Sequence, residues 1–286
     1  MIRKHTLTSS AGVRMPGIIY GTAWKEAETA RLVTQAIKAG FRGIDTACQP
    51  KHYNEAGVGE GVKACLHKGL RREDLYLQTK FTPVDGQDPD HIPYDPDAAP
   101  AEQVRQSVET SLGNLQTTYL DGLVLHSPLK SQAGMRAVWA AMESYVDTGI
   151  VRQLGISNCY RLDLLETLHK TARVKPIIVQ NRFHAKTGYD CEIREFCRHH
   201  GMIYQSFWTL TANPDLLAHR TIKMLALMYA VTPAQILFRY LTQIGVVPLT
   251  GTTSAAHMRE DLAIFDFTLQ ETERDDITRM FDLFTP

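Results

Sequence analysis

The feature that most limits what this chain can fold into is a rhythm of short apolar run, polar loop and amphipathic helix, repeated eight times. Pro16–Tyr20 reads as the first strand, with a helix from Glu26 to Ala39 that stops at Gly40. Ile44 and Asp45 end the second strand, and Asn54–Lys68 is its helix, with Val58, Val62 and Leu66 at helical spacing. Asp74–Lys80, Tyr119–Leu125, Arg152–Ser157, Pro176–Gln180, Met202–Ser206 and Val246–Pro248 continue the strands. Helices near 101–115, 139–147, 162–171, 190–199, 222–229, 233–242 and 255–263 alternate with them. Strands alternating with helices predict a parallel sheet, and eight strands predict a closed barrel of the (β/α)8, or TIM, type. Residues 4–17, around the turn Ser9-Ser10-Ala11-Gly12, read as a β-hairpin at the bottom of that barrel. Such barrels need about 250 residues, so the 286 residues form one α/β domain, 1–286.

In a β/α barrel, chemistry gathers at the C-terminal ends of the strands. The polar residues at or just past those ends are Asp45, Tyr53, Lys80, His126, Asn158 and Gln180. Taken singly, five of the six have an ordinary structural reading. The exception is Lys80, because lysine rarely ends an apolar strand. Together on one rim they suit one chemistry. A phenol with a pKa near ~10 is a poor proton donor at neutral pH unless a nearby positive charge stabilises its anion. Lys80 supplies that charge and Asp45 holds Lys80 protonated, while His126 orients a carbonyl oxygen beside Tyr53. None of these residues is an obvious nucleophile. The electrons must then come from elsewhere; a nicotinamide cofactor would provide hydride, with Asn158 and Gln180 as natural partners for its carboxamide.

Across nearly its whole length the sequence resembles the aldo-keto reductases. The resemblance runs through Gly21-Thr22-Ala23-Trp24-Lys25, Gly43–Ala47, Tyr53–Gly59, Lys80, Leu123–Pro128, Gly155–Asn158, Val179–Asn181 and Gln205–Phe207. It implies a (β/α)8 barrel that reduces aldehydes or ketones to alcohols with NADPH. Tyr53 would be the acid, Lys80 and Asp45 its tuning pair, and His126 the orienting group. Ser157, Asn158 and Gln180 would bind the carboxamide, and Phe207 would stack on the nicotinamide. Further cofactor contacts are expected at Gly21, Thr22, Asp45, Trp208, Leu210, Leu249, Thr250, Gly251, Thr252, His257, Glu260 and Asp261. Trp24, Tyr53 and His126 would contact substrate.

The chain departs from the family pattern in several places. Gln49-Pro50-Lys51-His52 lengthen the loop between Asp45 and Tyr53. Leu249 falls at the position of the usual 2'-phosphate lysine and His257 at that of the usual arginine. Arg259, Thr250 and Thr252 remain for a phosphate, aided by the following helix N-terminus. NADPH is therefore expected, with NADH as the alternative. Trp208 stands where a small residue is usual. The loop at 82–100 carries His91 and Tyr94, which either close over substrate or are solvated. Little chain after Leu269 is expected to serve as a lid, which suggests an open pocket and broad carbonyl acceptance.

Composition decides which partners to leave out. Lys plus Arg (31) equals Asp plus Glu (31), so no net field favours nucleic acid or an anionic membrane. No apolar run approaches ~20 residues and the start of the chain lacks a signal-peptide pattern, so neither a membrane span nor export is expected. Five cysteines without a Cys-x-x-Cys pair suit the cytoplasm. A cytoplasmic monomer with no resident metal and a small carbonyl substrate is expected. Two other readings compete: a Schiff-base lyase using Lys80, and a nucleotide-binding barrel that acts as a sensor or binds a partner with negligible turnover. A Lys80 kept charged by a carboxylate disfavours the first. A tuned acid disfavours the second.

Overall fold

The computed structural model describes residues 5–284. The hairpin strands are β1 (Thr6–Thr8) and β2 (Arg14–Pro16). The barrel follows with β3 (Ile19–Gly21), α1 (Thr29–Ala39), β4 (Gly43–Asp45), α2 (Glu55–Leu66), β5 (Tyr76–Phe81), α3 (Pro100–Leu115), β6 (Gly122–Leu125), α4 (Gln132–Asp147), β7 (Leu154–Ser157), α5 (Leu162–Thr171), β8 (Ile178–Arg182), α6 (Cys191–His199), β9 (Ile203–Phe207), α7 (Pro214–Ala218), α8 (Arg220–Tyr229), α9 (Pro233–Gln243), β10 (Val246–Thr250), α10 (Ala255–Leu262) and α11 (Glu271–Asp282). Strands β3 to β10 pair in parallel and in chain order, and β10 closes back on β3 through Leu249 opposite Ile19. The (β/α)8 barrel expected from the rhythm is the architecture observed.

Strand and helix interiors explain the two cores. Residues facing the helices, such as Ile44, Leu77, Leu125 and Ile156, join apolar faces of α1 to α6 in one large buried cluster. Inside the barrel, Met15, Ile19, Tyr76, Ile178, Val247 and Leu249 fill the lower layers. The hairpin lies across the N-terminal ends of the strands, where Met15 plugs the barrel floor, fully buried. A cavity of about 1040 Å³ opens at this end, lined by hairpin residues and by Leu75, Tyr76 and Asp121. It is at the opposite end of the barrel from the expected chemistry.

Several boundaries differ from the sequence reading. Pro16 belongs to the hairpin, whose strands pair Thr6 with Pro16, and the first barrel strand starts at Ile19. Lys4, the expected start of the hairpin, and the ends of the 1–286 domain lie outside the described residues. Helices α7 and α11 were not anticipated. In α11 a short amphipathic helix with a Gln270–Glu273 capping box buries Phe281 against Phe183, Tyr189 and Tyr240. The segment at 82–100 is tied to the barrel and does not lie in solvent as a whole. Tyr94 is buried against Phe81 and its hydroxyl donates to the Thr82 carbonyl, 2.6 Å away. His91 is on the outer side, beside Asp88.

Helix α2 approaches α3 closely at Gly59. A Cβ at Gly59 would lie 2.0 Å from the Asn114 carbonyl oxygen at the end of α3. Gly59→Ala gains helix propensity but forces the two helices apart, so a net loss of about 2 kcal/mol or more is expected. Urea denaturation reads this as a lower midpoint with an unchanged slope, and an unchanged midpoint would show that α3 yields freely.

Candidate active site

Asp45 ends β4 and Lys80 lies near the end of β5, two strands that pair side by side. Both are buried: Lys80 is 1% exposed and Asp45 is 2% exposed. The Lys80 ammonium donates to Asp45 Oδ2 at 2.6 Å and to the Thr46 carbonyl at 2.8 Å. Burial works against the Lys80 charge, but Asp45 and the Tyr53 phenol more than offset it, so the ammonium's pKa lies above its ordinary value. Asp45 is braced on every side. Gln78 and Gln180 each donate from Nε2 to Oδ1, at 2.7 and 2.9 Å. Thr22 donates to the Asp45 main-chain carbonyl from both its amide and its hydroxyl, at 3.0 and 2.9 Å. Below these, Gln205 accepts from both Gln78 and Gln180 at 2.9 Å, and Tyr76 donates to Gln78 at 2.7 Å. The layer is a closed set of amides on a buried carboxylate.

The lengthened loop before Tyr53 closes on itself. The Gln49 carbonyl accepts from the amides of both His52 and Tyr53, so the additional residues form a turn that returns Tyr53 to the rim. Asn54 then caps α2 by accepting from the Gly57 amide at 2.9 Å, which anchors the far side of Tyr53. Tyr53 is half-buried, with the Lys80 ammonium 5.2 Å from its ring centre and the His126 ring 6.0 Å away, edge-on. Burial raises the phenol's pKa above the ordinary value, Lys80 pulls it back, and Asp45 adds to the rise. The sequence reading gave Lys80 the upper hand; in the folded site burial prevails, and the phenol stays protonated at neutral pH.

His126, just past β6, is neutral. Burial, then Lys80 and His52, push its pKa down to about 3. Its Nδ1 lies 2.7 Å from the buried Thr82 hydroxyl. Asn158 donates to the His126 carbonyl at 2.8 Å and holds a left-handed backbone, φ 53°. Ser157 donates to the Gln180 carbonyl at 2.6 Å. Both amide hydrogens of Gln180 are spent on Asp45 and Gln205, so only its Oε1 remains for a ligand.

The remaining expected contacts divide between rim and interior. Trp24 is 58% exposed, at φ 61°, packed against His52 with ring centres 3.9 Å apart and planes tilted by 37°. Phe207 is half-buried at the end of β9, and the next residue, Trp208, is 46% exposed at φ 55°. Bulky side chains seldom tolerate positive φ, and such strain collects where ligands are held. Leu210 packs on the outer core. Leu249 points inward among Ile19 and Val247 and offers no charge to the rim. Thr250 donates to the buried Asp261 carboxylate at 2.7 Å. Burial raises the Asp261 pKa to about 6. Gly251 and Thr252 lie in the loop into α10 and His257 in the first turn of that helix, with Thr252 Oγ1 3.4 Å from His257 Nδ1, and Glu260 sits half-buried one turn further on. Gly21 abuts the Thr250 carbonyl. Cys48 is buried and burial pushes its thiol up to about 12, so it is inert.

Four contributors were not picked out from the sequence. Lys25 reaches from the β3–α1 loop to donate to the Gly251 carbonyl, which bridges the two loops that flank β3 and β10. Thr82 sets the His126 ring. Gln78 and Gln205 complete the amide layer. Glutamine inside a barrel strand was a legible anomaly; Lys25 and Thr82 carry no such mark.

Fold and site together define a (β/α)8 barrel whose rim holds a protonated phenol, a buried ammonium–carboxylate pair and a neutral imidazole, a set able to pass a proton to a carbonyl oxygen. A model of the Aldo/keto reductase family matches residues 15–281. The chain is 32% identical over 276 residues to the glyoxal reductase of Bacillus subtilis (strain 168), covering 96% of this chain and 92% of that one. It is 31% identical over 272 residues to the uncharacterized oxidoreductase YtbE of the same organism, covering 94% and 89%. A crystal structure of an aldo/keto reductase from Brucella melitensis aligns with a TM-score of 0.82 at 30% identity, covering 96% of this chain and 98% of that one. The chain belongs to the aldo/keto reductase family.

Proposed function

We propose that this chain reduces aldehydes or ketones to alcohols with NADPH, Tyr53 acting as the general acid. The observation that carries this reading is the buried Lys80–Asp45 pair at 2.6 Å, set 5.2 Å beneath the Tyr53 ring at the barrel mouth. Asp45 holds Lys80 charged, and that charge stabilises the phenolate left when Tyr53 gives up its proton. His126 is neutral, with Nδ1 tied to the Thr82 hydroxyl at 2.7 Å; in the tautomer that carries its hydrogen on Nε2, that hydrogen would orient the carbonyl oxygen beside Tyr53.

The residues present fit a nicotinamide cofactor, which supplies the hydride when bound. Ser157, Asn158 and the Oε1 of Gln180 would face the carboxamide, and Phe207, at the end of the neighbouring strand β9, would stack on the ring. Lys25 and Arg259 supply positive charge around the β10–α10 loop, which favours NADPH over NADH. The five cysteines are free, four of them buried, which suits a reducing compartment.

Oxidation of NADPH and NADH followed at 340 nm, with aromatic aldehydes and α-dicarbonyls, tests the reading. A glyoxal reductase among the relatives makes α-dicarbonyls the first choice. Turnover is expected, with the larger kcat/KM for NADPH. A chain that binds either cofactor yet reduces no carbonyl would instead be the sensor. The pH dependence identifies the acid. Tyr53 titrates above its ordinary value near ~10 and His126 near about 3, so neither changes charge between pH 5 and 9. For an uncharged aldehyde kcat/KM is expected to be flat across that range. A fall as pH rises through 6 to 7 would make a protonated histidine the acid.

A further inference from the structure

Arg182 ends β8, two residues beyond Gln180 and therefore on the same inward face, one layer nearer the mouth. Its register partner across the sheet is Phe207. The guanidinium carbon lies 4.2 Å from the centre of the Trp208 ring and 6.0 Å from that of Phe207, so the fork is held against the Trp208 face with Phe207 close by. Trp208 holds this position at φ 55°, in the left-handed region that a tryptophan seldom occupies.

What the guanidinium lacks is an acid. Its Nε is buried with no hydrogen-bond partner, and none of the ion pairs among the described residues includes Arg182. The groups around it offer no counter-charge. Asp190, the carboxylate that shares its surroundings, accepts from Asn181 at 2.6 Å and Tyr204 at 2.9 Å on the outer side of the strand. Tyr160 meets the Arg182 main chain, its hydroxyl accepting from the amide at 3.1 Å, and His184 adds no negative charge. Aromatic faces attract a guanidinium but cannot accept its in-plane N–H groups. A planar fork of donors, oriented by stacking and left without an acceptor, is the geometry that takes a carboxylate or phosphate in two-pronged fashion.

We propose that Arg182 is an anion-binding residue at the mouth of the active site, which receives a carboxylate or phosphate oxygen brought by the substrate or the cofactor. The inference rests on the reductase reading of the same site. It gives the chain a specificity element: carbonyl compounds bearing an acid group, or a second hold on the cofactor's phosphates.

The test uses the full chain, with Arg182→Met to remove the charge while keeping an unbranched stem, and Arg182→Lys to keep the charge without the fork. Two readouts separate the sources of the anion. For a substrate anion, the ratio of kcat/KM for 4-carboxybenzaldehyde to that for methyl 4-formylbenzoate falls about tenfold or more in Arg182→Met. For a cofactor anion, calorimetric titration of NADPH, with no substrate present, shows Kd raised about tenfold or more. In either case Arg182→Lys recovers part of the loss. If both the substrate ratio and Kd stay within about twofold of wild type, a change too small for one charged hydrogen bond, Arg182 serves packing only and the proposal is overturned. A wild-type chain that reduces neither aldehyde defeats the reductase reading, and the NADPH titration alone then decides Arg182, an unchanged Kd overturning it.

Discussion

Tyr53→Phe is expected to keep the fold and the proposed cofactor site but to lose turnover by about a hundred- to ten-thousand-fold, the range spanned by removal of a positioned acid. Only a hydroxyl is lost, from a half-buried ring already held by the Gln49 turn on one side and the Asn54 cap on the other. Circular dichroism and thermal melting should therefore match wild type closely, and NADPH should still bind. The deficit belongs in kcat, because the hydroxyl's service is to the proton that moves. A variant that kept most of its rate would show that the proton arrives from His126 or from water, and Lys80 and Asp45 would then be structural.

Lys80→Met is expected to damage both stability and activity. Asp45 keeps its two amide donors but loses the ammonium 2.6 Å away, and so becomes a buried carboxylate without a counter-ion. Breaking a buried pair from one side costs about 3–5 kcal/mol, whereas the intact pair contributes far less over an apolar replacement. At roughly 2 °C per kcal/mol for a chain of this size, Tm falls by about 6–10 °C. Turnover falls too, since nothing then offsets the burial and the Asp45 charge that raise the Tyr53 pKa. Asp45→Asn added to Lys80→Met removes the stranded charge and should recover more than half of the lost stability without restoring turnover. Recovery of both together would mean that Lys80 supports the barrel and has no part in the chemistry; recovery of neither would place the damage in packing.

Much of the site was legible because the barrel puts chemistry at strand ends, and strand ends are marked by changes of residue type. Asp45 follows Gly43-Ile44, Lys80 closes a run of strand formers and His126 follows Leu123-Val124-Leu125. The eightfold rhythm then brings them to one rim without any long-range guess. What the sequence did not disclose depends on contacts between distant segments. Thr82 reads as a loop residue until His126 arrives from another strand. Lys25 reads as a surface charge until the β10–α10 loop lies across it. The sign of the Tyr53 shift is a balance between burial and two opposite charges, and burial is a property of the closed barrel alone. Helix α11 went unread because its apolar positions are few and its register is set by the aromatic pocket that Phe281 enters. The 82–100 segment resembled a free loop because Pro and Asp dominate it, yet one buried tyrosine ties it down.

The amides of Gln78, Gln180 and Gln205 are more than props for a carboxylate. Water around an ion must turn its dipoles each time a charge appears or moves, and that turning is a large part of the barrier to reaction in solution. Here the dipoles that face Asp45 are locked by one another, amide to amide, and by Tyr76 beneath them. They form a solvent that has already been oriented and cannot relax. A designer who grafts Asp45, Tyr53, Lys80 and His126 onto another barrel, and leaves that layer behind, would reproduce the reacting groups without their medium. Transplanting the proposed chemistry would therefore mean carrying seven side chains, three of them the amides that brace Asp45 directly or through one another.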